Sequence, residues 1–275
     1  MSKIKIALCQ MNVIDNKQKN ISKAISMINE AASHNSNFVV LPEMFNCPYS
    51  NDKFVEYAEN EKTSFTLDSI SKLAKKHQIH ILAGSIPEKE DSNIYNTSYL
   101  FDKKGNIIAK HRKMHLFDVD VEGGIYFKES DTLTPGNKFT VCESDFGKIG
   151  IGICYDVRFP QLAQINVGKG ANILFYPGAF NMTTGPAHWE LLFRSRALDN
   201  QVFCVGVAPA LNEDASYHSY GHSIVVNPWG EVICQLGQKE ELKIVEINLD
   251  EIKKVRNEIP VLKNRRNDLY EIIEK

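Results

Sequence analysis

Two rhythms of apolar and polar residues alternate along this chain. KIKIALCQM at 3–11 steps between faces with a period of two, as a half-buried strand does, and Lys17 to Ala32 carries apolar residues at helical spacing. NFVVLPE is a short apolar strand that ends at a proline. Ser64 to His77 predicts a helix, IHILAGSI a strand, and Thr97 to Phe101 with Ile107 to Lys110 a hairpin across KKGN. From Met114 to Asn137 no period holds. Gly, Asp and Glu are frequent there, and a loop of that length in a compact domain usually carries function. Alternation resumes with strand KIGIGI, helix Gln161 to Val167, strand NILFYPG, helix His188 to Asn200 and strand VFCVGVAP. HSIVVN, EVICQ and KIVEINL predict further strands, with a turn at PWGE, before a charged C-terminal segment. The connections are partly βαβ and partly hairpin, and there is no repeat or linker-like tract. This predicts one α/β domain over 1–275, with mixed sheets covered by helices.

Composition narrows the function classes. With 275 residues, 43% hydrophobic and 24% charged, the chain reads as an ordinary soluble globular protein. A net charge of −2 gives no bias toward nucleic acid or an anionic membrane. No apolar run approaches the roughly 20 residues of a transmembrane helix. MSKIKIALCQMN has neither a long apolar block nor a small-residue cleavage site, so no secretory signal is expected. The six cysteines lie far apart without a C-x-x-C pair, as suits reduced thiols and a cytoplasmic protein, the mitochondrion being the other compartment in view.

Layered α/β proteins gather ligands at the carboxyl ends of strands. Three reactive side chains fall at such places: Glu43 closing FVVLPE, Lys113 after the strand Ile107 to Lys110, and Cys154 closing KIGIGI. Singly each has an ordinary explanation, as a solvated loop acid, a surface charge and a core thiol. Together they are the parts for acyl transfer through a thioester. A thiol with a pKa near ~8.5 needs a base, which Glu43 supplies. Attack on an amide carbonyl develops an oxyanion, which Lys113 and the backbone N–H of Tyr155 can stabilise. Gly150 and Gly152 leave room for close packing behind the nucleophile, while Asp156 and Pro160 suit a sharp turn into the next helix.

LPEMF, HRKMHLF and GICYDVRFP resemble, in order, the three signature segments of the nitrilase superfamily of carbon–nitrogen hydrolases. The resemblance runs essentially end to end. It is strongest to omega-amidases, on KMHLFDVDVEGG, TLTPG, YPGAFNMTTGPAHWELLFRSRALDNQ and HSIVVNPWGE. It implies a four-layer αββα sandwich, a catalytic triad of Glu43, Lys113 and Cys154, and a second glutamate, Glu129, that positions the lysine or the substrate. No cofactor or metal is expected. It further implies a homodimer that pairs through helices flanking the nucleophile turn, with the tail at about 259–275 packed on the partner.

The substrates so implied are short 2-oxo dicarboxylate monoamides, 2-oxoglutaramate and 2-oxosuccinamate, cleaved to the 2-oxo acid and ammonia. Arg158, four residues past Cys154, is then a candidate grip for the distal carboxylate, with a structural ion pair as its equal alternative. Tyr49 can offer a hydroxyl to the substrate, Phe117 can wall a narrow pocket, and Thr183 can line its mouth. Loop packing, loop anchoring and, for Thr183 and Thr184, helix capping are the competing roles. Cys47 is a bystander. The nearest rival activity is nitrile hydrolysis, or that of another short-chain amidase or carbamoylase of the same superfamily. A metal-dependent amidohydrolase would need His111 with His115, or His218 with His222, on helices, and neither segment reads as one. A non-enzymatic interaction protein would not need the intact reactive set.

Overall fold

The computed structural model describes residues 3–275, so the first two residues of the expected domain fall outside it. The chain begins with β1 (Lys3–Gln10), α1 (Lys17–Ser33), β2 (Phe38–Val40), α2 (Asn51–Tyr57), α3 (Phe65–His77), β3 (His80–Leu82) and β4 (Ile86–Glu90). It continues through β5 (Asn93–Phe101), β6 (Ile107–Arg112), a small hairpin of β7 (Asp118–Asp120) and β8 (Tyr126–Lys128), then β9 (Thr140–Ser144) and β10 (Gly147–Ile151). The remainder is α4 (Pro160–Gly168), β11 (Ile173–Pro177), α5 (Gly185–Asn200), β12 (Phe203–Val207), β13 (Ile224–Val226), β14 (Val232–Gln235), β15 (Glu241–Asn248) and α6 (Asp250–Glu258).

Two sheets carry the fold. One runs β15-β1-β2-β3-β5-β4 with β6 added to β5, and the other β14-β13-β12-β11-β10-β9. Each has a parallel centre, β1/β2/β3 or β10/β11/β12, with antiparallel strands outside it. Ile4, Ile6, Phe38 and Val40 from the first sheet meet Ile149, Ile151, Phe175 and Val205 from the second in one buried cluster. On the outer face of the first sheet, Ala24 and Ile28 of α1 and Ile70 and Ala74 of α3 pack over Ala7, Val39 and Ile81. On the outer face of the second, Leu162 of α4 and Trp189 and Phe193 of α5 cover Leu174, Tyr176 and Cys204. These are the four layers of the expected αββα sandwich. Both parallel centres read as near-continuous apolar runs because each of their faces is buried.

Local chemistry explains the boundaries. Asn16 Oδ1 accepts the Lys19 N–H at 2.9 Å and Ser64 Oγ accepts the Leu67 N–H at 3.0 Å, which starts α1 and α3. Several expectations are corrected. IHILAGSI is two strands, broken at Gly84, whose φ of +36° and close approach to the Pro42 carbonyl exclude a side chain; a Cβ there would lie 1.9 Å from that oxygen. KIGIGI stops as a strand at Ile151, so Cys154 opens a short 3-10 turn, Cys154–Arg158, instead of closing a strand. The long loop holds the β7–β8 hairpin. Sequence periodicity also missed α2, β9 and α6, each nine residues or shorter.

Candidate active site

The loops after β2, β6, β10 and β11 converge. β2 delivers Glu43, whose successor Met44 adopts a left-handed φ of 50° and donates its N–H to Ser85 Oγ at 3.0 Å. β6 delivers Lys113, held through its own N–H to the Asn96 carbonyl at 2.9 Å. β10 delivers Cys154 at a left-handed φ of 47°, a conformation that costs a non-glycine residue on the order of 1–2 kcal/mol. That kink turns the sulfur out of the strand direction. The Asp156 carboxylate holds the turn by accepting the Ile153 N–H at 2.9 Å, and Pro160 opens α4.

At the centre lies a buried charge cluster. Lys113 Nζ donates to Glu43 Oε1 at 3.0 Å and to Glu129 Oε1 at 2.9 Å, and all three side chains are fully buried. Each carboxylate is held by further donors. Glu43 accepts from Asn96 Nδ2 and from the Ala179 N–H, both at 2.8 Å. Glu129 accepts from Tyr49 Oη at 2.7 Å and from the Phe117 N–H at 2.6 Å. The Tyr49 oxygen also lies 3.3 Å from Lys113 Nζ. The Cys154 thiol abuts the Glu43 carboxyl and the Ala179 amide.

Electrostatics follow from burial. Burial opposes the lysine's charge, but Glu129 and Glu43 outweigh it and hold Lys113 well above the usual lysine range. Burial pushes the Glu43 carboxyl up, against the pull of Lys113. Burial, reinforced by the negative charge of Glu43, pushes the Cys154 thiol well up. The site thus sets the Cys154 thiol beside Glu43, with the Lys113 cation at hand.

Each predicted site residue has a place. Glu43, Lys113, Glu129 and Tyr49 form the cluster, with Cys154 against it. Tyr49 spends its hydroxyl on Glu129, and Phe117 binds the same glutamate through its backbone. The Phe117 ring meets Tyr155, the residue after the nucleophile, edge-on at 5.3 Å. Arg158 has no acidic partner among the described residues. Its guanidinium lies over the Phe180 ring at 4.8 Å, Nη1 sits 3.2 Å from His188 Nδ1, and its buried Nε has no hydrogen-bond partner among the described residues. No structural ion pair to Arg158 forms among the described residues. Thr183 is exposed beside Gly124 of the β7–β8 turn. Neither threonine caps α5 with its side chain; Asn181 Oδ1 accepts both their N–H groups at 2.9 Å. Cys47 is buried and its pKa is pushed up.

Sequence reasoning missed Asn96, Ala179 and Tyr217. Ala179 acts through its backbone and leaves no side-chain signal. Tyr217 donates to the Ala179 carbonyl at 2.5 Å and packs against Tyr49, ring centroids 4.5 Å apart and tilted by 33°. Asn96 had a signal: it sits in NTS, a polar run inside a buried strand. A cavity of about 540 Å³ opens beside the cluster, walled in part by Glu43, Tyr49 and Tyr217, with the exposed Asp15 and Asp52 at its rim.

A family model described as Carbon-nitrogen hydrolase matches residues 5–257. "Omega-amidase NIT2" of Danio rerio is 49% identical over 272 residues, covering 99% of this chain and 98% of that protein. The Homo sapiens protein of the same name is 46% identical over 272 residues, with the same coverage of both chains. Among solved structures, Saccharomyces cerevisiae Nit3, a member of branch 10 of the nitrilase superfamily, superposes with a TM-score of 0.89 at 43% identity, covering 96% of this chain and 97% of that one. The C. elegans NitFhit protein gives a TM-score of 0.91 at 34% identity, covering 99% of this chain and 67% of that one.

Proposed function

Because this chain belongs to the carbon–nitrogen hydrolase family, we propose that it works as an omega-amidase on short 2-oxo dicarboxylate monoamides such as 2-oxoglutaramate and 2-oxosuccinamate. One observation carries the substrate class: the Arg158 guanidinium, four residues from the nucleophile, has no carboxylate partner among the described residues. A planar fork without a carboxylate of its own, resting on an apolar ring, fits a substrate carboxylate a few bonds from the scissile amide.

The reaction runs in two halves. Glu43 takes the Cys154 proton as sulfur attacks the amide carbon, and Lys113 with the Tyr155 N–H stabilises the oxyanion. Collapse breaks the C–N bond, Glu43 returns the proton to nitrogen, and ammonia leaves behind a thioester. Water then adds to the thioester, giving its proton to Glu43, which restores the thiol as the 2-oxo acid departs. Glu129 and Tyr49 keep the lysine aimed throughout.

A homodimer belongs to this reading. Leu191 and Leu198 on α5, Trp229, and Ile259 and Val261 are large apolar side chains left exposed, and so are Leu269, Tyr270 and Ile273 of the tail. All but Trp229 lie on the segments that the pairing would cover. Six unpaired cysteines suit a reducing compartment, here the cytoplasm. No helix among the described residues is long and apolar enough to cross a membrane.

The decisive assay is ammonia release from 2-oxoglutaramate, with intact mass of the trapped acyl-enzyme. Turnover with an adduct on Cys154 is expected. Turnover of a neutral amide or an aliphatic nitrile without activity on the 2-oxo acid amide would overturn the substrate class.

A further inference from the structure

The two histidines flanking the catalytic lysine at i−2 and i+2 meet one carboxylate on the nucleophile turn. His111 Nε2 donates to Asp156 Oδ2 at 3.0 Å, and His115 donates to Oδ1 both through its backbone N–H at 3.0 Å and through Nδ1 at 2.8 Å. Oδ2 also accepts the Ile153 N–H at 2.9 Å. Asp156 and His111 are fully buried. Four donors fill the four lone-pair sites that a carboxylate offers, so no other side chain of this size can replace it. Burial would raise the Asp156 carboxyl, yet these donors hold it well below the usual range. The join is reinforced on both sides. The His115 ring stacks on Phe159, at the end of the same turn, with centroids 3.6 Å apart and planes within 9°. His111 Nδ1 lies 3.0 Å from Thr140 Oγ1 on β9, the neighbour of β10.

This arrangement ties together two segments that come from different sheets. β6, which delivers Lys113, belongs to the seven-stranded sheet, and β10, which delivers Cys154, to the six-stranded one. The separation between the lysine ammonium and the Tyr155 N–H, both aimed at one oxyanion, therefore depends on a joint between layers. We propose that Asp156 is a positioning residue of the amidase reaction, clamping the nucleophile turn to the lysine-bearing strand through His111 and His115. Its carboxylate touches neither substrate nor the reacting atoms. Misplacement of about 1 Å at such a site is enough to cost on the order of 10²-fold in rate.

This inference rests on the reaction proposed above, and the test separates the two. Asp156→Asn, His115→Ala and His115→Asn are compared with wild type for kcat and KM on 2-oxoglutaramate. The rate of Cys154 alkylation by iodoacetamide is followed in parallel by peptide mass mapping. If wild type does not turn over 2-oxoglutaramate, the substrate reading fails, while the alkylation rates still report on the clamp. Expected are a kcat loss of about 10²-fold for Asp156→Asn with KM within about threefold, and slowed alkylation. His115→Ala is expected to lose about tenfold in kcat. His115→Asn, whose Nδ2 takes the place of the ring Nδ1–H, should recover most of that loss. Because His115 is partly exposed, its variants decide the matter even if Asp156→Asn does not fold. Wild-type kcat and alkylation rates in both Asp156→Asn and His115→Ala would overturn the proposal. So would His115→Asn being as impaired as His115→Ala, or a raised KM with unchanged kcat.

Discussion

Lys113 Nζ stands 3.0 Å from Glu43 Oε1 with both side chains fully buried, so each charge depends on the other. Removing the cation in Lys113→Ala leaves two carboxylates, Glu43 and Glu129, in a dry site. A loss of about 3–5 kcal/mol in unfolding free energy is expected, measured by denaturant titration at pH 7. Lys113→Arg keeps the charge but not the geometry. It should fold and lose turnover by about 10²–10³-fold, as expected for a displaced oxyanion donor.

Tyr49 and Glu129 should separate in magnitude. Tyr49→Phe deletes one hydroxyl, shared between Glu129 at 2.7 Å and Lys113 at 3.3 Å. Its cost is about 1 kcal/mol, or roughly fivefold in kcat. Glu129→Gln removes a charge facing Lys113 at 2.9 Å and should cost at least about 2 kcal/mol by the same measurement. Equal losses would show that Tyr49 acts on the substrate directly.

Arg158→Ala tests the distal grip. A charged hydrogen bond contributes about 1.5–3 kcal/mol, so kcat/KM on 2-oxoglutaramate should fall about 10–100-fold. Activity on a neutral amide of similar length should stay within a few-fold. A uniform loss on both substrates would make the arginine part of the framework.

His80 sets a pH limit on stability. It is buried against Phe38, with ring centroids 4.8 Å apart, and burial lowers its pKa below 6.5 despite Asp145 nearby. The folded state thus disfavours the proton that the unfolded state accepts near pH 6.5. Stability is full above that pH and declines as pH falls toward the lowered folded value, by at most about 1.4 kcal/mol per pH unit. His80→Phe should flatten the melting temperature between pH 7.5 and 5.5, apart from the contribution of other groups.

Gly152→Ala should harm both stability and rate. A Cβ at Gly152 would fall 2.4 Å from Tyr176 Cε1, and that ring is itself buried. Overpacking of this kind costs typically about 1–3 kcal/mol and would displace Cys154, two residues on. Differential scanning calorimetry and kcat should fall together.

Both glycines of GIGIC could be read in advance, because an absent side chain before a nucleophile has few other uses; Gly150, like Gly152, has no room for a Cβ. Glu43, Lys113 and Cys154 were legible as chemically matched groups just past strand ends, and Glu129 through family resemblance. The partners of Asp156 were not. HRKMH shows two histidines at a metal-like spacing, but nothing local says that a carboxylate 41 residues beyond His115 will take both. Likewise, the Ala179 N–H reaches Glu43 across 136 residues through backbone alone. Long-range hydrogen bonds of this type are fixed by sheet register, which single-strand periodicity does not encode.

The upward push on the Cys154 thiol bears on oxidative chemistry. Peroxides attack thiolates, and a sulfur kept neutral by burial and by the charge of Glu43 offers them little to react with. Enzymes that store a ready thiolate gain speed and accept sulfenic acid damage while idle. An empty enzyme of this kind should keep its activity through hydrogen peroxide exposures that inactivate low-pKa cysteine enzymes.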